Sequence, residues 1–196
     1  MKWIVACLLI SLHGFSQNLE NSPLPIIDHE KNKLYEIDYK SLDTVDFLGY
    51  FSFNLPEVKP IKTSDSTLLF KTDSFKIIVE EVNVDTNVYR YEFNQIKDED
   101  QINGKKIYGT DWSQPKTRLS NLVIEWKKRV VEIPDSIYTQ LYNPRIIRNN
   151  SGCRVNVDKL KRLFLSISGS DGAGGYDAII IIHDGTFYKR YIGGPP

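Results

Sequence analysis

The last quarter of the chain carries the pattern that most restricts its fold. Tyr176–His183 contains four consecutive isoleucines, and an unbroken apolar run of this kind is typical of a strand buried on both faces. The dipeptide Asp184-Gly185 follows it and is typical of a two-residue hairpin turn. Thr186–Ile192 then returns as a more amphipathic strand, and Leu163–Ser168 precedes the run as another strand. The sequence therefore predicts a C-terminal β-meander.

Strand-like segments also fill most of the chain before the meander. Short runs rich in Phe, Ile, Val and Tyr, separated by turn residues, indicate strands at Phe47–Phe53, Thr67–Thr72, Phe75–Val84, Val88–Ile96, Lys105–Gly109 and Leu119–Val131. Lys97–Gly104 reads as a charged surface loop that ends in an Asn-Gly turn, and Arg145–Arg162 reads as irregular.

One short helix is expected, around residues 135–142. Pro134, Asp135 and Ser136 offer a cap, and Asn143-Pro144 ends the element. Strands at short spacing without long helices between them argue against βαβ units. The predicted fold is mainly β, a single antiparallel sandwich or roll of about seven to nine strands with this helix and the C-terminal meander.

The first residues indicate export. Lys2 precedes the apolar run Trp3–Ile10, and the small residues Gly14 and Ser16 lie three and one positions before a plausible cleavage site. We therefore expect a signal peptide over residues 1–16, cleaved after Ser16, a flexible lead-in over 17–43, and a single β-rich domain over 44–196. No transmembrane segment is expected in the mature chain, because about 18 uninterrupted apolar residues are needed to span a membrane.

Cys7 offers an alternative to release. Ile4-Val5-Ala6-Cys7 has the form that bacterial lipoprotein processing recognises, and lipid on that cysteine would anchor the chain to a membrane. Only four apolar residues would then remain before Cys7, whereas a signal core needs roughly 7–15. Cleavage after Ser16 is favoured, and the protein is expected in the periplasm or outside the cell.

Charge and cysteine content narrow the functional classes. The chain holds 25 basic and 25 acidic residues, and loss of Lys2 with the signal leaves 24 against 25, a net charge of −1. This balance does not favour nucleic acid as a partner. Once the signal is removed Cys153 is the one remaining cysteine. It is interpreted as a small buried hydrophobe, with a nucleophile or an intermolecular bridge as the less favoured interpretation.

The loop at 169–175 is glycine-rich and is the best single candidate for a functional surface, because binding residues often lie on loops carried by rigid strands. A phosphate cradle, a calcium loop, a nest of backbone N–H groups for a carboxylate or sulfate, and a plain flexible connection are all considered, with the last favoured. The candidate binding residues are Ser170, Asp171, Gly172, Gly174, Gly175 and Asp177.

Catalytic motifs are absent from the sequence. It holds no Gly-x-Ser-x-Gly elbow, His-Glu-x-x-His helix or Cys-x-x-Cys pair. His183 and Asp184 could form an acid–base pair, but neighbours in a strand point to opposite faces, and a solvated hairpin shoulder is the preferred interpretation. No catalytic residue, metal ligand or cofactor is assigned, and a carboxylate pair assembled only by the fold stays open.

Two further patterns have a functional and a structural interpretation. Tyr89, Tyr91 and Phe93 lie on one face of a predicted strand and would suit either a stacking platform or the core. Residues 71–100 hold eight acidic against four basic residues, whereas Arg145–Arg162 holds six basic against one acidic. The basic segment could receive an acidic partner or an anionic glycan, although the favoured interpretation is a basic loop that is simply solvated.

The ending Gly14-Phe15-Ser16-Gln17 is similar in style to the signals of exported proteins from Bacteroidota-type bacteria. Val131–Ser136, Gly169–Tyr176 and the last hairpin resemble small uncharacterised bacterial proteins in which a strand leads to a Pro-capped helix and a glycine-rich turn. The resemblance implies a bacterial envelope setting.

The leading expectation is a non-catalytic exported domain that binds an envelope protein or glycan. The alternatives are a hydrolase of an envelope polymer that acts through carboxylates, and an immunity or inhibitor protein. The first follows from a β scaffold with long polar loops, and the last from small size, export and charge segregation.

Overall fold

A computed structural model of the chain describes residues 24–28, 33–37, 47–48, 55–62, 64–146, 152–158, 161–170, 172 and 174–194. The predicted signal peptide lies outside these residues. The protein is mainly β, and its strands assemble into largely antiparallel sheets, as the sequence predicts. Among the described residues no helix has the length and apolar character needed to cross a membrane.

Sixteen strands are present in the described residues, more than predicted. In chain order they are β1 (Leu24–Asp28), β2 (Lys33–Ile37), β3 (Phe47–Leu48), β4 (Glu57–Val58), β5 (Ile61–Lys62), β6 (Thr67–Lys71), β7 (Phe75–Asn83), β8 (Tyr91–Asn94), β9 (Glu99–Ile102), β10 (Lys105–Lys106), β11 (Thr117–Trp126), β12 (Arg129–Val130), β13 (Cys153–Val157), β14 (Arg162–Gly169), β15 (Tyr176–His183) and β16 (Thr186–Gly194).

These strands form two large sheets and two small ones. The six-stranded sheet has the order β3-β16-β15-β14-β13-β4, and the five-stranded sheet has the order β12-β11-β7-β6-β5. Strands β10, β9 and β8 form a three-stranded sheet, and β1 pairs with β2 as a hairpin within the segment expected as a lead-in. All pairs in the large sheets are antiparallel except the short pair of β16 with β3.

The main core lies between the two large sheets. Leu68, Phe70, Ile77 and Ile124 come from the five-stranded sheet, and Leu163, Leu165, Ile180 and Ile182 come from the six-stranded sheet. All eight side chains are completely buried. Because each such side chain contributes roughly 1.5–3 kcal/mol on burial, this interface supplies much of the stability of the fold. Strands β11, β14 and β15 belong to this packed core, so the loops 109–116 and 169–175 are attached to rigid strands.

The C-terminal meander is confirmed. β15 has the predicted bounds and is buried on both faces except at His183. Asp184 and Gly185 both have positive φ (43° and 81°), as a two-residue hairpin turn of this kind requires. β16 runs alongside β15 with one bulge between Ile181 and Ile182.

The predicted helix around residues 135–142 is wrong. Only Asp135–Ile137 is helical, as a single 3-10 turn. The following backbone is used in bridges instead, because the Leu141 carbonyl accepts the Leu119 N–H (3.1 Å) and the Tyr142 N–H donates to the Tyr108 carbonyl (2.9 Å). Those contacts with distant segments replace the i to i+4 bonds that a longer helix needs.

Two segments predicted as loops contain strands. The expected charged loop at 97–104 holds β9, which pairs with β8 and β10, and the Asn103-Gly104 turn was predicted correctly. The segment expected to be irregular holds β13, where Cys153, Val155 and Val157 alternate toward the core. In both cases pairing with neighbouring strands outweighs the unfavourable local composition.

Candidate functional site

The candidate site lies where two loops that are far apart in the sequence meet. One is the loop 109–116 between β10 and β11, and the other is the glycine-rich loop 169–175 between β14 and β15; together they are termed the loop junction. The carboxylate of Asp111 connects them, because its Oδ1 accepts the Gly174 N–H at 2.6 Å and its Oδ2 accepts the Ser170 hydroxyl at 2.9 Å. Charge-assisted hydrogen bonds of this kind are about twice as strong as neutral ones.

Gly174 is the residue that permits this close approach. An ideal Cβ at this position would lie 1.3 Å from the Thr110 carbonyl oxygen. No other amino acid can occupy the position unless one of the two loops moves. The glycine here is required by packing against the loop 109–116.

Asn143 fastens the base of the loop junction. Its Oδ1 accepts the N–H groups of Lys116 (2.9 Å) and Thr117 (3.2 Å), and its Nδ2 donates to the Gly109 carbonyl (2.8 Å). Its own carbonyl accepts the Ser170 N–H at 3.0 Å. One side chain and one carbonyl thus tie both loops together, a role the sequence did not reveal, because Asn143 there reads only as the end of a helix.

Trp112 projects from the loop junction into solvent. Its side chain is 69% exposed, and its backbone has a φ of 53°. Left-handed backbone is a genuine outlier for a bulky residue, and such strain tends to cluster at functional sites. Sequence reasoning missed Trp112; a large aromatic residue between Asp111 and Ser113 in a polar loop was the available signal.

Asp100, on β9, holds the loop 109–116 in place through a hydrogen bond with Thr110. It accepts hydrogen bonds from the hydroxyls of Tyr91, at 2.5 Å, and Thr110. Burial, followed by the hydrogen bond to Asp100, raises the pKa of Tyr91 well above its usual value, so the phenol stays protonated and remains a donor. The Thr110 side chain is thereby fixed immediately before Asp111.

The residues predicted from the glycine-rich loop are brought together only in part. Ser170 and Gly174 contact Asp111, and the N–H of Gly175 donates to the Gly172 carbonyl at 2.9 Å. Asp171 lies outside the described residues. Asp177 is buried on β15, where it accepts the Ser168 hydroxyl.

The hydrogen bond of Gly174 weakens the interpretation of the glycine-rich loop as a nest that binds an external anion. The carboxylate that accepts the Gly174 N–H belongs to the protein itself. Among the described residues no group of three or more His, Cys, Asp or Glu side chains is placed to hold a metal ion. The part of the loop that is described therefore acts as a brace for Asp111 and, through it, for Trp112.

The other sequence candidates lie away from the loop junction. Cys153 is buried, and desolvation raises its pKa to about 12, so its thiol is inert, as expected for a small core residue. His183 is partly exposed beside the hairpin turn, and the neighbouring Asp184 is paired with Lys127 at 3.2 Å. This arrangement fits the solvated shoulder and not an acid–base pair.

The residues of the aromatic pattern, Tyr89, Tyr91 and Phe93, lie in different environments in the fold, and so do those of the basic segment Arg145–Arg162. Tyr89 and Tyr91 pack against the small core of Ile102, Ile107 and Tyr142, whereas Phe93 is exposed. The Arg118 guanidinium lies over the Tyr89 ring, 4.8 Å from the ring centre. In the basic segment Arg162 is buried in an ion pair with Asp158 at 2.5 Å, whereas Arg145 is exposed. The described arginines do not share one exposed face.

Compared with family models, with curated proteins and with solved structures, the chain shows no significant match in any of the three. The site is therefore defined by its own residues: two loops on a β-sandwich-like scaffold, fastened by Asp111 and Asn143, that hold one tryptophan in solvent.

Proposed function

We propose that the chain is an exported, non-catalytic binding domain that recognises an envelope glycan through Trp112. The observation that carries the proposal is the exposed indole held in left-handed backbone on a loop that is fastened from both sides. A fixed aromatic ring with two torsions loses little conformational entropy on binding. A rigid ring also offers the flat apolar surface on which a sugar ring stacks.

The surroundings of Trp112 favour a glycan over a protein. Its chain neighbours Asp111 and Ser113 are exposed and polar, and Ser170 lies across the junction. A stable protein interface buries at least about 1,000 Å² around several apolar anchors, whereas a sugar needs one ring and a rim of hydroxyl and carboxylate groups. One exposed indole within a polar rim matches what a sugar needs.

The hydrolase alternative has less support in the described residues. The carboxylates that approach the loop junction are already engaged, Asp100 by two hydroxyls and Asp111 by a hydroxyl and an amide N–H. A general acid or base must reach a substrate proton directly or through one water. In the binding proposal these same hydrogen bonds of Asp100 and Asp111 hold the loop that carries Trp112.

The test is retention of the purified protein on insoluble envelope polysaccharides, with Trp112→Ala compared with Val130→Ala. Val130 is also 69% exposed but lies on β12, away from the loop junction. We expect Trp112→Ala to weaken retention at least about tenfold, the loss of one aromatic anchor, and Val130→Ala to leave it unchanged. Equal retention of both variants, or retention on envelope proteins alone, would overturn the glycan proposal.

A second readout separates binding from folding. Because a left-handed residue costs roughly 1–2 kcal/mol for a side chain with a Cβ and little for glycine, we expect Trp112→Gly to keep or raise the unfolding midpoint while it removes binding. A variant that is both less stable and unable to bind would instead assign Trp112 a structural role.

A further inference from the structure

The outer face of the five-stranded sheet, opposite the main core, carries an apolar row. Leu69, Ile78 and Val123 lie opposite one another on β6, β7 and β11, and Ile61 on β5 lies opposite Leu69. The chain neighbours of Leu69, Ile78 and Val123 all pack in the main core. Because neighbouring residues of a strand point to opposite faces and paired residues point to the same face, the apolar row points away from that core.

The apolar row is unusual for a sheet face that meets solvent. Ile61 is 54% exposed, and Leu69, Ile78 and Val123 are partly exposed. The solvated face of an antiparallel sheet is normally polar. Scattered exposed hydrophobic residues need no explanation, whereas a contiguous apolar patch with a polar rim marks an interaction site. The row crosses four strands without a break, so it is a candidate contact surface.

A polar row flanks the apolar row on each side, two residues further along the strands. One row consists of Lys71, Lys76 and Glu125, and the other of Thr67, Glu80 and Asn121. Lys76 is paired with Glu125 at 3.0 Å, and the Asn121 Nδ2 donates to Glu80 at 3.1 Å. The first row has a net positive charge and the second a net negative charge, so the two sides of the apolar row are electrostatically complementary.

These charges select one way of packing two copies of the face against each other. A two-fold axis along the apolar row exchanges the two polar rows, so that Lys76 of one copy lies opposite Glu80 of the other. A two-fold axis along β7 instead places Lys76 opposite Lys76 and Glu80 opposite Glu80. Because like charges facing each other are unfavourable, the axis along the apolar row is preferred.

We propose that two copies of the chain associate through the outer face of the five-stranded sheet, with a two-fold axis along the apolar row. The two apolar rows then cover each other, and the Lys76–Glu80 contact forms twice, as a symmetric interface requires. Packed sheets are rotated by about 30° from exact alignment. At roughly 7 Å from the centre this rotation shifts a residue by about 3–4 Å, which a lysine side chain can bridge.

The size of the face predicts the strength of the dimer. Four strand spacings of about 4.8 Å and the roughly 30 Å length of β7 limit the face to about 600 Å² per copy. Two copies together bury about 1,200 Å² at most, which is the lower end of the range for stable interfaces. We therefore expect a reversible dimer with a dissociation constant in the micromolar range. The association does not depend on the function proposed for Trp112.

Sedimentation equilibrium of the purified chain tests the dimer, with Lys76→Glu, Glu80→Lys and an equimolar mixture of these two variants. Each variant alone places like charges opposite each other, so we expect its dissociation constant to rise at least about tenfold. The mixture should recover the association, because every charge at position 76 then faces an opposite charge at position 80. Within one copy the two residues are about 14 Å apart along β7, so pairing inside a copy cannot produce this recovery.

Two outcomes of that experiment would overturn the proposal. One is a monomer at every concentration up to the high micromolar range. The other is a mixture that associates no more than the two variants do separately. Recovery in the mixture also shows that both variants are folded, since an unfolded copy has no sheet face to pair.

Ile78→Ser tests the apolar row, with Ile96→Ser as the matched control. Ile96 is 97% exposed in the turn between β8 and β9. We expect Ile78→Ser to raise the dissociation constant at least about tenfold and Ile96→Ser to leave it unchanged. Urea melts check that both variants are folded. Equal dissociation constants for the two variants would contradict the interface.

Discussion

The core between the two large sheets and the loop junction are held by different forces. The core consists of apolar side chains from both sheets, and its stabilisation depends on the area removed from water and on close packing. The loop junction is held by a few directional hydrogen bonds to Asp111 and Asn143, most of them near the surface. The fold therefore depends mainly on the core, and the position of Trp112 depends mainly on the loop junction.

The strongest test of this comparison is a cavity in the core. Phe70 is completely buried in the five-stranded sheet. We expect Phe70→Ala to lower the free energy of unfolding by about 3–5 kcal/mol, because it removes the buried ring and leaves a cavity. Urea melts measure the loss, and retention on polysaccharide under conditions where the variant remains folded should equal that of the unsubstituted chain. Lost retention in a folded variant would show that the core and the loop junction are coupled.

A clash inside the loop junction should have a smaller effect on stability and a larger effect on binding. In Gly174→Ala the new methyl group would collide with the Thr110 carbonyl. We expect a destabilisation of roughly 1–3 kcal/mol and weakened retention, because the loop carrying Trp112 must move.

Gly104→Ala is the matched control for that clash. Gly104 also has a positive φ, 72°, but an added Cβ there meets no atom within 4 Å. Its substitution should cost only the backbone strain and leave retention unchanged. Similar binding losses in both variants would mean that glycine flexibility, and not close packing at Gly174, positions Trp112.

The smallest expected effect is a pH dependence outside both regions. The hydrogen bond from Lys127 lowers the pKa of Asp184, and both side chains are exposed. A carboxyl with a lowered pKa in the folded state stabilises the protein above its unfolded pKa of about 3.9, and that stabilisation is lost as the pH falls through the folded pKa.

Asp184→Asn measures this effect. At pH 7 the variant should be less stable than the unsubstituted chain by less than about 1 kcal/mol, and the difference should disappear once the pH lies below the lowered pKa of Asp184 in the folded protein. Thermal melts across this range supply the measurement. A difference that does not change with pH would assign it to the turn geometry of Asp184 and not to its charge.

The sequence predicted the parts of the fold whose cause is local. The isoleucine run and the Asp184-Gly185 turn determine β15 and the hairpin within a few residues, and β6 and β7 follow from their own apolar patterns. The segment after Asp135 was mispredicted because its backbone bonds to Tyr108 and Leu119, which a local pattern does not reveal.

Of the two loops in the loop junction, the sequence predicted a functional role only for the glycine-rich one. The glycine-rich loop was identified from composition, but its partner Asp111 lies 59 residues before Ser170 and 63 before Gly174. Nothing in a single sequence links residues so far apart. The exposure and left-handed backbone of Trp112 depend on the loop that Asp111 fastens, so they become visible only in the folded chain.

The order of strands in the six-stranded sheet also has a consequence for synthesis. Its two edge strands, β3 and β4, precede residue 59, whereas its four inner strands all follow residue 152. The edges cannot pair until nearly the whole chain has left the ribosome, and contacts so distant in sequence make folding slow. Residues 1–152 are therefore synthesised before any of the four inner strands of this sheet exists.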